Sequence, residues 1–419
     1  MEQYFPKTRS RRGNLALPVV GEERGSQVMS SEKPYDIVVF GASGYTGRLV
    51  AEYLAQEYAG NDLTWAMAGR SLEKLAAVRA EMGIGENLAL LEVDVDNTDA
   101  VREMVTACKV VITTVGPYQL YGDELVKQCA EHGTDYVDLT GEPSWMHGTI
   151  ARYSAAAKAS GARVVHSCGF DSIPFDLGVF TLQQHAISKT GHPIASVKGR
   201  VRTMNGGWSG GTIASMRTTM AAVASNPEII SILTNPFALT EGFAGPEQPA
   251  GATPQYDDEL GSWSAPFVMA PINTKNIHRS NFLLGHRYGT DFRYDEMLLT
   301  GDGEQGKATA DFVAKDNSVA NSDLQPGDGP SKEERENGNY DAIFAGVSHD
   351  GEMMISSVQG DRDPGYGSTS KMLAEAAMCL LENPGLASGG IWTPAAAMGE
   401  ALVKRLRARA GLTFQIEKG

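Results

Sequence analysis

The chain has 419 residues, 42% hydrophobic and 21% charged, the balance of a globular protein long enough for two domains. A formal net charge of −15 with no basic stripe argues against a nucleic-acid partner. No run of eighteen apolar residues occurs, so no membrane-spanning segment is expected. The four cysteines (Cys108, Cys129, Cys168, Cys379) and eight histidines lack metal-ligand spacing, so no metal is expected.

Residues 1–33 hold Lys7, Arg9, Arg11, Arg12 and Arg24 with little periodicity and read as a disordered tail. The basic start leaves a mitochondrial targeting role open beside a cytoplasmic location. From 34 to 172 strand-like and helix-like segments alternate, predicting a doubly wound Rossmann domain. Strands are expected at 36–41, 63–69, 88–93, 109–115, 135–139 and 162–168. Helices are expected at 47–58, 72–82, 98–107, 123–132 and 145–160. Ser71 caps the second helix, and Gly133 and Gly161 end two others in left-handed turns.

The first strand breaks into Gly41, Gly44 and Gly47, with helical periodicity behind them. Strand, glycine turn and helix in that order predict dinucleotide binding. Gly41 allows the sharp turn, Gly44 allows backbone to approach a pyrophosphate, and Gly47 lets the helix pack on the strand. Ser43, Tyr45 and Thr46 complete the candidate cradle at the positive end of the helix.

The second strand ends Ala68-Gly69-Arg70-Ser71, without the carboxylate that would take a ribose hydroxyl. Arg70 offers a planar cation for a 2′-phosphate and Ser71 adds a hydroxyl, so the cofactor is expected to be NADP(H). Asp94, behind the third strand, is a candidate for the adenine edge or a helix cap. Gly116, Pro117 and Tyr118 end the fourth strand, where the nicotinamide half should lie.

Past residue 172 the rhythm changes, and a second α+β substrate domain is expected over 173–360. It should open with a helix at Ser172-Ile173-Pro174, then a strand near 195–204, a glycine-rich stretch at 205–211 and a helix at 212–225. Residues 244–262 read as a loop and 315–338 as a disordered, charged insertion. A hairpin is expected from 341–348 and 352–358. Residues 361–419 predict two helices, 366–382 and 395–410, returning to the first domain. The basic residues Lys404, Arg405, Arg407 and Arg409 read as a solvent-facing complement to the helix dipole.

Catalysis is harder to assign. No Tyr-x-x-x-Lys occurs: Tyr153 and Lys158 are five apart, and Tyr121 and Lys127 six. Candidates for proton transfer are Tyr118, Tyr121, Glu142 and Asp171, each at the carboxyl end of a strand. Tyr118 and Asp171 are carried forward as catalytic candidates.

Together GASGYTG, AGRS, VGPYQLYG, DLTGEP, CGFDSIPFDLG and GGIWTP resemble the saccharopine dehydrogenase-like oxidoreductases, a family that includes trans-acting enoyl reductases. The resemblance runs from about 35 to 180, with thinner echoes at 209–212 and 364–399. It implies an NADP-binding Rossmann domain, a second α/β domain and a returning C-terminal segment. It also implies reduction of a C=C or C=O bond in a small or lipid-linked substrate, in lipid or glycolipid metabolism. True saccharopine reduction, with Arg200, Arg202 or Arg217 holding substrate carboxylates, and a non-catalytic NADP sensor or lipid-associated adaptor stay open. So do a homo-oligomer, peripheral membrane contact and a lipid-droplet location, although the polar insertion at 315–338 replaces the hydrophobic segment of droplet-associated relatives.

Overall fold

Strand β1 (Tyr35–Phe40) stops at Gly41, whose φ of 86° turns the chain into helix α1 (Tyr45–Glu57). The computed structural model describes residues 33–419 except 317, 319, 320 and 326, and these form one compact unit. The tail expected over 1–33 lies outside the described residues, apart from Lys33, which donates to Thr134 Oγ1 at 2.7 Å.

The alternation then proceeds through β2 (Trp65–Gly69), α2 (Leu72–Glu81), β3 (Ala89–Glu92), α3 (Thr98–Thr106) and β4 (Cys108–Thr113). After it come α4 (Tyr118–Tyr121), α5 (Asp123–His132), β5 (Asp135–Val137), α6 (Pro143–Ser160) and β6 (Arg163–Val165). Ser71 Oγ accepts from Lys74 N, and Gly133 and Gly161 are left-handed C-caps, as their residue types predict. The strands form a parallel sheet in the order β3-β2-β1-β4-β5-β6, the doubly wound arrangement the sequence predicted. Its order reverses between β1 and β4, where such sheets open a crevice for ligands.

The second half contains α7 (Ile173–Thr190), β7 (Ser196–Asn205), α8 (Gly210–Ser225), α9 (Glu228–Thr234), β8 (Gln255–Asp257), β9 (Ser262–Pro266), α10 (Ala270–Leu283) and β10 (Arg293–Gly301). It continues with α11 (Gly303–Val313), α12 (Lys332–Asn337), β11 (Asn339–Val347) and β12 (Met353–Gly360). A mixed sheet runs β12-β11-β7-β10-β9-β8 and is completed to seven strands by the chain's last strand at the β12 edge, with β7 and β10 parallel and the hairpin β11–β12 antiparallel. Helix α7 packs so closely on this sheet that a Cβ at Gly178 would sit 2.0 Å from the Phe344 ring. The loop expected at 244–262 contains β8, paired with β9.

The C-terminal segment returns to both sheets. Helix α13 (Thr369–Glu382) is followed by β13 (Gly390–Trp392), which pairs with β6, then α14 (Pro394–Arg405) and β14 (Leu412–Lys418), which pairs with β12. The sequence predicts only the two helices here. The three-residue β13 is too short for a periodicity to register, and β14 alternates over a brief, partly charged run.

Of the basic residues expected to face solvent, Lys404, Arg407 and Arg409 are exposed, and Arg405 is the exception. Arg405 pairs with the fully buried Glu375 of α13 and with Glu382, and Arg409 pairs with Glu57 of α1. Glu375 takes further hydrogen bonds from Tyr53 (2.8 Å) and Tyr58 (2.7 Å) of α1. Three helices distant in sequence thus converge on one carboxylate.

The insertion read as disordered over 315–338 is built into the molecule in its latter part. Ser331 and Glu334 form a capping box that starts α12, and the preceding residues pack on the glycine turn. Its polarity concealed these local hydrogen bonds.

Glu375→Ala should destabilise the fold by about 3–5 kcal/mol, because it strands a partly buried guanidinium and two phenols. Denaturant unfolding measures this, and a loss under about 1 kcal/mol would show the cluster to be incidental.

Candidate active site

Close approach builds the turn after β1. A Cβ on Gly47 would lie 2.1 Å from the Gly41 carbonyl oxygen, and one on Gly41 would meet Val115 Cγ2 at 2.7 Å. At Gly44 the only neighbour is the Gly41 oxygen at 3.2 Å, so this glycine faces outward. Gly44 is also the N-cap of α1, with no side-chain acceptor. The free N–H groups and dipole of α1 therefore face an open position with room for a phosphate. The residues fit a dinucleotide pyrophosphate.

Around this turn the other candidates fall as follows. Ser43 Oγ lies beside Gly69 at the end of β2. Arg70, next along, is exposed and makes no hydrogen bond or ion pair among the described residues, leaving its guanidinium free for an anion. Ser71 Oγ accepts from Lys74 N at 3.3 Å to cap α2, which leaves its O–H able to donate. Asp94 is exposed behind β3 and accepts from Asp96 N at 3.1 Å, holding its own turn. The Tyr45 side chain leaves the cradle and contacts the segment before α12.

A cavity of about 450 Å³ opens at the sheet's switch point, with Thr46, Thr114 and Gly116 in its wall. Pro117 N-caps α4 behind a cis Gly116–Pro117 peptide. Much of the remaining wall comes from the second half of the chain: Met204 of β7, Met216 and Met220 of α8, Leu233 of α9, and Val268 and Met269 ahead of α10. No Lys, Arg or His lines it among the described residues. Met220 and Val268 are also exposed, which gives the cavity an apolar margin.

The four proton-transfer candidates separate clearly. Tyr118 lines the cavity, but its hydroxyl donates to the Thr113 carbonyl at 3.1 Å and accepts from Leu139 N at 3.3 Å, and burial pushes its pKa well up. Tyr121 is exposed and outside the cavity wall. Glu142 is buried and accepts from Tyr118 N and Gln119 N, both at 2.9 Å, so it caps α4. Burial raises its pKa while these bonds pull it back.

Asp171 differs from all three. It makes no hydrogen bond or ion pair with any described residue, and it lines the cavity. It is half-buried and forms part of the cavity wall. Burial alone pushes its pKa up to about 7. A carboxyl in this state can hold a proton at neutral pH and give it up inside an apolar chamber.

Sequence reasoning missed the methionine wall. The glycine-rich stretch 205–211 was its one signal: Gly206, Gly207 and Trp208 all line the cavity. Among the described residues no group of His, Cys, Asp and Glu could hold a metal, and no helix is long and apolar enough to cross a membrane.

Residues 37–165 match the saccharopine dehydrogenase NADP-binding domain. A Mycobacterium tuberculosis H37Rv protein described as a trans-acting enoyl reductase is 37% identical over 415 residues, covering 92% of this chain and 98% of its own length. A trans-acting enoyl reductase of Mycobacterium ulcerans is 33% identical over 407 residues, covering 90% and 96%. Among solved structures, saccharopine dehydrogenase (L-Glu forming) from Saccharomyces cerevisiae has a similar fold. Its TM-score is 0.52 at 12% identity, covering 92% of this chain and all of that one.

Arg70→Ala should weaken NADPH binding about 10- to 100-fold, the loss of charge-assisted hydrogen bonds to a phosphate, and leave NADH almost unaffected. Parallel fluorescence titrations with the two dinucleotides check it; equal losses would remove Arg70 from cofactor selection.

Proposed function

The chain belongs to the saccharopine dehydrogenase-like family and is an NADP-dependent oxidoreductase, and from that premise we propose that it reduces the C=C bond of an apolar, lipid-linked enoyl substrate with Asp171 as proton donor. The observation that carries this reading is the cavity: apolar walls, an unpaired protonatable carboxyl and no cation.

NADPH supplies the hydride when bound. The glycine turn and the N-terminus of α1 would hold its pyrophosphate, Arg70 and Ser71 its 2′-phosphate, and Asp94 its adenine edge. Gly116 and Pro117 would border its nicotinamide half. The methionine wall would hold the substrate's apolar chain and exclude water. Hydride addition at one alkene carbon leaves negative charge on its neighbour and the attached carbonyl. The Asp171 carboxyl gives that neighbouring carbon its proton and becomes a carboxylate, which solvent reprotonates after product leaves. The products are the saturated chain and NADP+, so atoms and electrons balance.

Saccharopine reduction is the weaker reading. Its substrate carboxylates need cations, yet Arg200 is buried against Asp295, Arg202 pairs with Asp341 and Glu417, and Arg217 donates to the Ser322 carbonyl. None lines the cavity. A sensor without catalysis would have no use for an unpartnered carboxyl whose pKa stands near 7.

Two outcomes are expected. NADPH oxidation should accelerate with a long-chain 2-enoyl thioester, whereas saccharopine should not reduce NADP+; the reverse pattern would overturn the proposal. Asp171→Asn should lower kcat by roughly 10²- to 10⁴-fold with NADPH affinity unchanged. The acid must be protonated, so wild-type kcat should be level below pH 7 and fall as pH rises through about 7. A rate flat from pH 6 to 9 would exclude this donor.

A further inference from the structure

Tyr45 lies inside the glycine motif, yet its side chain serves another part of the chain. Its hydroxyl donates to the Pro330 carbonyl and accepts from Arg335 Nη1 at 2.9 Å. Arg335 Nη1 also donates to Pro330 O at 2.7 Å, and its guanidinium carbon stands 5.7 Å from the centroid of the Tyr45 ring. Gly329 abuts that ring so tightly that a Cβ would sit 2.5 Å from it, and Tyr366 meets it edge-on at 5.1 Å.

The same segment is tied at its far end to the cavity. Asp328 O accepts from Gly210 N at 3.1 Å, and a Cβ on Gly207 would lie 3.1 Å from Pro330 Cγ. Tyr366 lines the cavity and takes a hydrogen bond from Ser209 N at 2.5 Å. Residues 328–335 therefore bridge the first turn of α1 to the glycine-rich wall. Arg335 makes no ion pair among the described residues; the Asp363 carboxylate feels its charge from a distance, and its guanidinium stands beside the cradle.

We propose that residues 328–335 form a strap closed over the dinucleotide site by a Tyr45–Arg335 clasp, with Arg335 supplying a cation to the pyrophosphate. The strap must lift for the dinucleotide to exchange, so the clasp sets the release rate. Tyr45 is then a positioning residue, acting through the strap. The proposal rests on the NADP reading of the same site.

The test uses the full-length protein and NADPH fluorescence in stopped flow. Tyr45→Phe keeps the ring packing and deletes both hydroxyl hydrogen bonds; NADPH release should quicken roughly tenfold. Arg335→Met should weaken NADPH binding roughly tenfold and flatten its dependence on salt, because an ionic contact is lost. In wild-type protein, NADPH should slow amide exchange across 329–337 (a readout that needs no variant to fold). Unchanged release and affinity in both variants, or exchange indifferent to NADPH, would overturn the clasp alone. Failure of the wild type to bind NADPH would overturn it together with the reading beneath it.

Discussion

The contact on which the site depends is backbone against backbone: the first turn of α1 lies on the end of β1, with no space at Gly47 for one carbon atom. That approach brings the open end of α1 over the switch point between β1 and β4, the place where a parallel sheet offers a ligand its crevice. Thr46 and Thr114, on either side of this contact, both belong to the cavity wall. A side chain at position 47 would lift the helix and separate the anion cradle from the chamber it serves. Cofactor binding and substrate placement therefore share one steric condition.

Within the chamber, two carboxyl groups show how environment divides roles. Glu142 is the more hidden by surface, but two backbone N–H groups at the start of α4 satisfy it. It holds the loop behind the cis Gly116–Pro117 peptide in place. Asp171 touches open space and has no donor, so desolvation acts on it without compensation. Two acids in one cavity thus differ in kind: one is a structural cap, and the other is an unpartnered carboxyl held toward its protonated form by burial.

The Rossmann half was legible because its signals are local and repeated. Each strand is a short apolar run, several helices carry a cap legible by residue type (Ser71, Gly133, Gly161), and Gly41, Gly44 and Gly47 announce the turn within seven residues. Asp171 was visible as a residue at a strand's end, but not as a free acid, because freedom from partners is a property of the assembled cavity. The methionine wall was hidden for a related reason. Met204, Met216 and Met269 lie on three different elements, and their common destination has no linear pattern. Segment 328–335 does not read as ordered because low complexity and charge suggest disorder, whereas its order comes from a capping box and from Tyr45, far earlier in the chain.

Why should an oxidoreductase route its chain back through both sheets? The cavity has walls from the first sheet's loops (Gly116, Glu142), from the second half (Met204, Met216) and from the returning segment (Tyr366, Thr369). No one of these encloses a substrate alone. β13 stitches the return to the first sheet and β14 stitches it to the second, while Glu375 fastens α13 to α1 and α14. The spacing between cradle and substrate wall is thereby fixed by strand pairing and a buried ion cluster. Hydride transfer tolerates little misplacement, since reacting atoms must meet at near van der Waals distance. A hinge of loops would leave that distance to chance; two sheets joined by a shared C-terminal segment do not.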